Sequence, residues 1–273
     1  MTEAGFIARL YAAARRNDSL LCVGLDPELE RIPPAIRAMP APVFEFNRRI
    51  IDATAPFACC FKPQFAHYAA LGAEDQLLAT IRYVHERHPG LQVILDSKRG
   101  DIGSTAAKYA QESFGRYGAD AVTVNPYLGF DSVEPYLKWQ GRGVIILCRT
   151  SNPGARDFQD LESGGRRLYR HVAERVARDW NGGGQCMLVI GATYPEELAE
   201  IRAAVGTLPF LVPGVGAQGG DVAAAVRAGR TADGLGLVLN SSRGIIYAGN
   251  GADFADAAGA AARALREEIN RYR

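Results

Sequence analysis

The hydrophobic residues of the chain are gathered in eight short runs that are apolar almost throughout rather than at alternate positions. Runs of this kind are typical of parallel strands whose two faces are both covered by helices. They are LLCVGLD (20–26), FACCFKP (57–63), LQVILDS (91–97), DAVTVNP (120–126), GVIILCR (143–149), CMLVIGA (186–192), FLVPGVG (210–216) and GLGLVLN (234–240). The pattern therefore predicts eight buried strands.

Segments long enough for a helix separate the successive apolar runs. Examples are VFEFNRRIIDA before the second run, STAAKYAQESFGRYG before the fourth and GGDVAAAVRAGR before the eighth. Eight strand–helix units in a chain of 273 residues close most simply into a (β/α)8 barrel of the TIM type, whereas an open doubly wound sheet typically has fewer strands. Because no linker or low-complexity segment divides the chain, residues 1–273 are predicted to form one α/β domain.

The N-terminal segment is rich in alanine and arginine, as many targeting peptides are. Its apolar residues nevertheless recur at helical spacing, namely Phe6, Ile7, Leu10, Tyr11 and Ala14. We therefore predict an amphipathic helix added in front of the barrel rather than a targeting peptide.

The charge balance argues against a basic surface for nucleic acid, because 31 Lys and Arg face 30 Asp and Glu and the formal net charge is +1. No apolar stretch approaches the roughly 20 residues that a membrane helix needs. The five cysteines lie in apolar runs without the spacing of a zinc or redox pair, so we expect reduced core residues. These features predict a cytoplasmic protein that binds neither nucleic acid nor membrane.

Charged residues interrupt the apolar pattern at the C-terminal ends of the first three predicted strands, at Asp26, Lys62, Asp96 and Lys98. This is the face on which (β/α)8 barrels carry their active sites. Asp96 and Lys98 are two residues apart, so on an extended chain both point over the barrel mouth while Arg99 points away. A single such pair is usually a structural ion pair. Four converging charges are stable only as an ordered array of alternating sign, which favours a functional site.

Asp101 lies three residues beyond Lys98 and begins the next predicted helix, with Thr105 four residues later. Residues four apart lie on one helix face, so these two side chains are expected to act together. The alternative interpretation is an aspartate that only stabilises the N-terminus of the helix through the macrodipole.

A second group of candidate residues follows the last two predicted strands, in GVGAQGGD (214–221) and NSSRG (240–244). Such barrels commonly bind phosphate there, and glycine-rich turns let backbone N–H groups approach an anion. Gln218 can donate from its amide, and Arg243 can form a bidentate pair with phosphate oxygens. One alternative is two plain glycine turns with a surface arginine. A G-x-G-x-x-G dinucleotide turn is rejected, because the next strand ends in Asn240 rather than in an acid.

No metal site is predicted from the four histidines. His85 and His88 lie at a polar helix end, and His67 and His171 lack acidic partners at ligand spacing. The longest irregular stretch, residues 151–165, follows the fifth strand, where a loop of this length is usually functional. We expect this loop and the segment 214–221 after the seventh strand to close over a bound ligand.

The segments LDSKRGDI (95–102) and PGVGAQGGD (213–221), together with Lys62 at a strand end, resemble the orotidine 5′-phosphate decarboxylases. The likeness is greater to the longer subgroup with the signature D-x-K-R-G-D-I, and it extends over nearly the whole predicted barrel. It implies conversion of orotidine 5′-monophosphate to uridine 5′-monophosphate and CO2 in de novo pyrimidine biosynthesis, with no metal or organic cofactor. It also implies a homodimer with shared active sites.

The resemblance assigns a role to each candidate residue. Lys98 would donate the proton to C6 of the pyrimidine from a position between Asp96 and Asp101. Lys62 would complete the array of alternating charge. Asp26 and Lys62 would bind the ribose hydroxyls, together with Asp101 and Thr105, which would reach in from the partner subunit. Ser151 would bind the pyrimidine ring. Gln218 and Arg243 would bind the phosphate.

Two other functions compete with this one. A Mg²⁺-dependent sugar-phosphate decarboxylase or aldolase on the same barrel shares a D-x-K-x-x-D motif on the third strand, but an ammonium group at Lys62 would repel the cation. A non-catalytic module that binds the phosphate of a nucleotide would keep Gln218 and Arg243 but would not need the charged array.

Overall fold

The computed structural model describes residues 4–215 and 221–273, and this part of the chain contains all eight predicted strands. They are β1 (Leu21–Leu25), β2 (Cys60–Pro63), β3 (Gln92–Arg99), β4 (Ala121–Val124), β5 (Gly143–Arg149), β6 (Cys186–Ile190), β7 (Phe210–Pro213) and β8 (Leu237–Ser241). Neighbouring strands pair in parallel, and β1 pairs with both β2 and β8, so the sheet closes into a barrel. The predicted (β/α)8 architecture is therefore confirmed.

Helices occupy the connections between the strands and form the outer layer. They are α1 (Phe6–Arg16), α2 (Pro34–Arg37), α3 (Pro42–Thr54), α4 (Phe65–Ala69), α5 (Glu74–Arg87), α6 (Gly103–Ala110), α7 (Phe130–Leu137), α8 (Leu168–Arg175), α9 (Pro195–Val205), α10 (Val222–Gly229), α11 (Arg243–Ile246) and α12 (Phe254–Asn270). The helical segments predicted before the second, fourth and eighth strands overlap α3, α6 and α10. No helix within residues 4–215 and 221–273 has the length and apolar character needed to cross a membrane.

The barrel core is apolar because the strands contribute buried residues on both of their faces. Every residue of β1, β4 and β6 is buried. The five cysteines are free and buried, in agreement with their predicted place in the core; they are Cys22, Cys59, Cys60, Cys148 and Cys186. A polar side chain buried in this apolar core needs specific hydrogen-bonding partners, and such side chains therefore mark candidate functional positions on the strands.

The N-terminal helix α1 closes the end of the barrel opposite to the strand C-termini. Phe6 packs so closely on Gly143, at the start of β5, that a Cβ on this glycine would collide with the Phe6 ring. Arg9 donates hydrogen bonds to the side chains of Gln92 (2.9 Å) and Asp120 (3.2 Å), next to the starts of β3 and β4. The predicted amphipathic helix is confirmed, and it forms the floor of the barrel.

Asp120 is a buried carboxylate that connects three elements at this floor. Besides Arg9, its oxygens lie 2.8 Å from Nε2 of His85 and accept a hydrogen bond of 2.9 Å from the backbone N–H of Val93. Burial alone would raise the pKa of Asp120, but these partners outweigh it and hold the pKa below its ordinary value.

We expect Asp120→Asn to lower the free energy of unfolding by about 2 kcal/mol at neutral pH, because a buried network loses its charged acceptor. A carboxylate with a lowered folded-state pKa stabilises the fold above its unfolded pKa, and this stabilisation disappears as the pH falls through the folded value. In urea unfolding, the difference between wild type and variant should shrink as the pH falls below the ordinary pKa of an aspartate. Asp179→Asn, at an exposed pair with Arg175, should cost less than about 0.5 kcal/mol. A difference that stays constant with pH would contradict this role of Asp120.

Candidate active site

The charged side chains at the ends of β2 and β3 meet above the barrel. Nζ of Lys62 lies 2.8 Å from Oδ2 of Asp96, and Nζ of Lys98 lies 2.7 Å from Oδ1 of the same carboxylate. Lys62 is 4% and Asp96 is 6% exposed, whereas the side chain of Lys98 is 44% exposed. Asp96 therefore bridges one buried and one accessible ammonium group.

The charges of this array stabilise one another. Burial alone would lower the pKa of Lys62, but the carboxylates of Asp96 and Asp26 outweigh it and raise the pKa above its ordinary value. Burial would likewise raise the pKa of Asp96, but the ammonium groups of Lys62 and Lys98 hold it well below its ordinary value. Lys62 and Asp96 thus remain charged at neutral pH, and the array has a fixed electrostatic pattern.

A bulge in β3 brings Asp96 and Lys98 together. Leu95 pairs with Val122 and Arg99 pairs with Val124, so a step of four residues on β3 faces a step of two on β4. Lys98 has a φ of +47°, in the left-handed region that non-glycine residues rarely adopt. The two side chains meet as the spacing predicts, but the expected extended backbone is wrong, because the extra residues of the bulge turn the chain at Lys98.

Arg99 lies away from the array, as predicted, although the bulge at Lys98 interrupts the regular alternation on which that prediction was based. It forms an ion pair of 2.8 Å with Glu112, and its guanidinium lies over the rings of Phe65 (4.4 Å) and Tyr109 (4.6 Å). These contacts fasten the end of β3 to α4 and to the helical region that begins with α6.

The predicted arrangement of Asp101 and Thr105 on one helix face is wrong. Gly103 has a φ of +55° and turns the chain there, so α6 begins at Gly103 and leaves Asp101 outside the helix. Asp101 accepts a hydrogen bond of 2.8 Å from the backbone N–H of Ile102, and Thr105 is exposed. Within residues 4–215 and 221–273, neither of the two side chains forms a hydrogen bond or ion pair with Lys98 of its own chain.

Asp26 follows β1 near Lys62, whose pKa it helps to raise. Its Oδ1 atom is buried and has no hydrogen-bond partner in the part of the chain that the structure describes. Buried polar atoms are almost always hydrogen-bonded, to protein, water or ligand. Asp26 can therefore accept a hydrogen bond from a hydroxyl group that enters the site.

A cavity of about 470 Å³ opens beside Lys98. Its lining includes Ser151, Phe158, Val189 and Pro213. The cavity combines an ammonium group, a hydroxyl group and apolar walls, which is the environment expected for a ring with polar edges. Two predicted site residues, Lys98 on β3 and Ser151 in the loop after β5, are thus brought to one cavity.

The loop after β5 contains more regular structure than the irregular stretch predicted at residues 151–165. It includes a 3-10 turn at Pro153–Asp157 and a hairpin in which Glu162–Ser163 pairs with Arg166–Arg167. Local hydrogen bonds of these turns satisfy the backbone without a strand or helix pattern in the sequence.

Arg149, which was not among the predicted site residues, holds the base of this loop. Its side chain is 1% exposed and forms an ion pair of 2.9 Å with Glu197. Beside it, the backbone N–H of Thr150 donates to Oε1 of Gln159 (2.8 Å), and Nε2 of Gln159 donates to Oγ1 of Thr150 (2.9 Å). The available signal was a charge at the end of the fifth apolar run, of the same kind as those at the first three.

The predicted phosphate residues differ in what the structure says of them. Arg243 begins the short helix α11 directly after β8 and is exposed. Gln218 lies outside the described residues. The hydroxyl group of Tyr247 accepts a hydrogen bond of 2.6 Å from the backbone N–H of Glu28 and donates one of 3.3 Å to the carbonyl of Asp26. The segment that carries Arg243 is therefore tied to the segment that carries Asp26.

Thr123 is a second site residue that the sequence pattern left unmarked. Its hydroxyl group donates to Oδ1 of Asp96 (2.9 Å) and accepts from the backbone N–H of Lys98 (2.9 Å). A hydroxyl in the otherwise apolar run of β4 was the only available signal, and threonine is too common in strands for that signal to stand out.

The described residues hold no group of three or more His, Cys, Asp or Glu side chains suited to a metal ion. His85 and His88 instead lie 2.8 Å from Asp120 and 3.0 Å from Asp52, at the outside and floor of the barrel. These pairs connect helices and loops, away from the cavity beside Lys98.

Known proteins share both the fold and most of the sequence. Residues 19–258 match the family model described as orotidine 5′-phosphate decarboxylase / HUMPS family. The orotidine 5′-phosphate decarboxylase of Azoarcus sp. (strain BH72) is 59% identical over 268 residues, which cover 98% of this chain and 99% of the relative. That of Ralstonia pickettii (strain 12J) is 58% identical over 268 residues, with the same coverage. The solved structure of Leishmania donovani OMP decarboxylase has a TM-score of 0.85 at 41% identity and covers 98% of each chain. The chain therefore belongs to the orotidine 5′-phosphate decarboxylase / HUMPS family.

Proposed function

We propose that the protein decarboxylates orotidine 5′-monophosphate to uridine 5′-monophosphate and CO2 in de novo pyrimidine biosynthesis. The observation that carries the proposal is the Lys62, Asp96 and Lys98 array beside a cavity of about 470 Å³, in a barrel of this family. Residues 1–273 act as one barrel domain. The buried free cysteines fit a reducing cytoplasm.

Lys98 is the proton donor in this proposal. Loss of CO2 from C6 of the pyrimidine leaves an electron pair in the plane of the ring, where the ring cannot delocalise it. Stabilisation must therefore be electrostatic, and groups held in place before the reaction are the most effective. The ammonium group of Lys98 lies at the cavity, stabilises the electron pair at C6 and then donates a proton to it.

Asp96 and Lys62 keep this ammonium group charged and aimed. Asp96 accepts hydrogen bonds from both lysines, one at each carboxylate oxygen. Lys62 compensates the buried charge of Asp96, so that the carboxylate can stay ionised next to the negatively charged substrate. The alternating order of charges makes the array stable as a unit.

The remaining residues bind the parts of the nucleotide that do not react. Asp26, whose buried Oδ1 has no hydrogen-bond partner among the described residues, and Lys62 bind the ribose hydroxyls. Ser151, in the wall of the cavity, donates to the pyrimidine ring. Arg243 and Gln218 bind the phosphate.

Two subunits share each site in the proposed assembly. Among the described residues, Asp101 and Thr105 form no hydrogen bond or ion pair with Lys98 of their own chain, and we propose that they enter the partner's site. There, Asp101 completes the charged array, and both side chains approach the ribose. Large apolar side chains are exposed in the neighbouring segments, with Ile102, Tyr127 and Phe130 53%, 78% and 42% exposed. Side chains of this type are commonly buried in subunit interfaces.

The proposed function is tested by following the absorbance of orotidine 5′-monophosphate in the presence of EDTA. We expect turnover that is independent of added metal. A Mg²⁺-dependent sugar-phosphate enzyme on the same barrel would leave this nucleotide unchanged or would need Mg²⁺, and either result would overturn the proposal. The buried ammonium group of Lys62, 2.8 Å from Asp96, already disfavours a cation at this position.

We expect Arg243→Ala to lower kcat as well as raise KM, with a fall in kcat/KM of about 100-fold or more. The phosphate is remote from C6, so its binding energy can be used to close the loops and exclude water. Steady-state kinetics with orotidine 5′-monophosphate measures both constants, and Arg230→Ala, another exposed arginine, serves as the control. Unchanged kcat with only a higher KM would contradict coupling between phosphate binding and loop closure.

A further inference from the structure

Thr123 closes a ring of hydrogen bonds that holds Lys98 at both of its ends. The backbone N–H of Lys98 donates to Oγ1 of Thr123 (2.9 Å), and the hydroxyl of Thr123 donates to Oδ1 of Asp96 (2.9 Å). Nζ of Lys98 donates to the same carboxylate oxygen at 2.7 Å. The main chain and the ammonium group of one lysine are thus connected through two other side chains.

The bulge in β3 explains why a side chain is needed here. In a regular parallel ladder, strand N–H groups are satisfied by carbonyl oxygens of the adjacent strand. The register between β3 and β4 is interrupted between Leu95 and Arg99, and Lys98 has a φ of +47°. The hydroxyl of Thr123 takes the place of the missing carbonyl and satisfies the N–H of Lys98 at its unusual backbone conformation.

The same hydroxyl also decides how the carboxylate of Asp96 is oriented. Oδ2 of Asp96 accepts from Lys62, whereas Oδ1 accepts from both Lys98 and Thr123. Three donors from three strands leave the carboxylate little freedom to rotate. A lysine side chain is long and flexible, so its ammonium group has a defined position only if its acceptor is fixed.

We propose that Thr123 is a positioning residue for the decarboxylation, acting through Asp96 and Lys98. Thr123 is 1% exposed, and its hydroxyl is used by these two residues. Its loss therefore changes the placement of the ammonium group relative to C6 and removes no hydrogen bond of Asp26 or Arg243. The proposal rests on the proposed function.

The test compares Thr123→Val, which keeps the shape but removes the hydroxyl, with Thr123→Ser, which keeps the hydroxyl. We expect kcat to fall about 100-fold in Thr123→Val while KM stays within about threefold, since misplacement of a catalytic group by about 1 Å has effects of this size. Thr123→Ser should stay within about threefold of wild-type kcat. Thr80→Val is the matched control, because it removes a buried hydroxyl that donates to the carbonyl of Gln76 (2.7 Å) in α5.

The outcomes separate this proposal from the proposed function. If wild type does not turn over orotidine 5′-monophosphate, the proposed function itself fails. If wild type is active and Thr123→Val keeps its kcat, or Thr123→Ser loses as much as Thr123→Val, the positioning role is overturned. Should Thr123→Val not fold, Thr123→Cys keeps a similar size with a weaker donor. We then expect about a tenfold lower kcat at unchanged KM; unchanged kcat would overturn the proposal.

Discussion

Replacing Lys98 with alanine is expected to lower kcat for orotidine 5′-monophosphate by at least about 10⁴-fold. Two contributions are lost with one side chain. A preorganised charge at the reacting atom is worth about 10²–10³-fold, and a positioned proton donor about 10²–10⁴-fold. The fall in kcat is made larger by Asp96, because its Oδ1 loses its closest partner, the ammonium group at 2.7 Å. The negative charge of Asp96 is then less compensated and lies beside a negatively charged substrate.

This prediction is checked by measuring kcat at saturating substrate and, separately, the affinity for uridine 5′-monophosphate by calorimetry. Binding of the product should persist, because Asp26, Ser151 and Arg243 are unchanged. Lys138→Ala, which removes an exposed lysine paired with Glu134, should behave as wild type. If Lys98→Ala kept more than about 1% of the wild-type kcat, Lys98 could not be the proton donor.

The barrel was predictable because parallel strands covered on both faces consist of nearly continuous apolar runs. Each of the eight apolar runs overlaps one strand, and the ends differ by a few residues only. The amphipathic helix α1 was predictable for the same reason, since its apolar positions follow the helical repeat and Phe6 and Leu10 are buried. The spacing of apolar residues shows which faces of a strand or helix are buried, and the pattern of buried faces determines this architecture.

The site was predictable only where a charge ends an apolar run. Lys62, Asp96 and Lys98 were found in this way, and they meet within hydrogen-bonding distance. The bulge at Lys98 could not be foreseen, because strand alternation assumes regular pairing and the sequence does not state the register with β4. For the same reason, Thr123 was missed: its importance depends on which residues lie opposite it.

The placement of Asp101 shows a further limit of the sequence. Four-residue spacing predicted a common helix face with Thr105, but the positive φ of Gly103 starts the helix after Asp101. Glycine is compatible with the helix interior and with a turn before it, so the residue alone did not decide between the two. The consequence concerns function, since Asp101 forms no hydrogen bond or ion pair with Lys98 of its own chain among the described residues.

Combining a Lys98→Ala subunit with an Asp101→Ala subunit should therefore restore activity that neither homodimer has. We expect each homodimer to lose at least about 10²-fold in kcat, because every site lacks one member of the charged array. In the mixed dimer, one site lacks both residues. The other site takes Lys98 from the Asp101→Ala subunit and Asp101 from the Lys98→Ala subunit and is complete, as the two-fold symmetry of a dimer requires.

The mixed dimer is obtained by co-expression with two different affinity tags and purification on both. One intact site in two should give about half of the wild-type activity per dimer. A dimer of Lys98→Ala with Asp96→Ala subunits is the matched control, since both residues belong to the same barrel, where they lie 2.7 Å apart, and no complete site can form. If the purified Lys98→Ala and Asp101→Ala dimer were as inactive as this control, Asp101 would act within its own chain, and the turn at Gly103 would have to open on substrate binding.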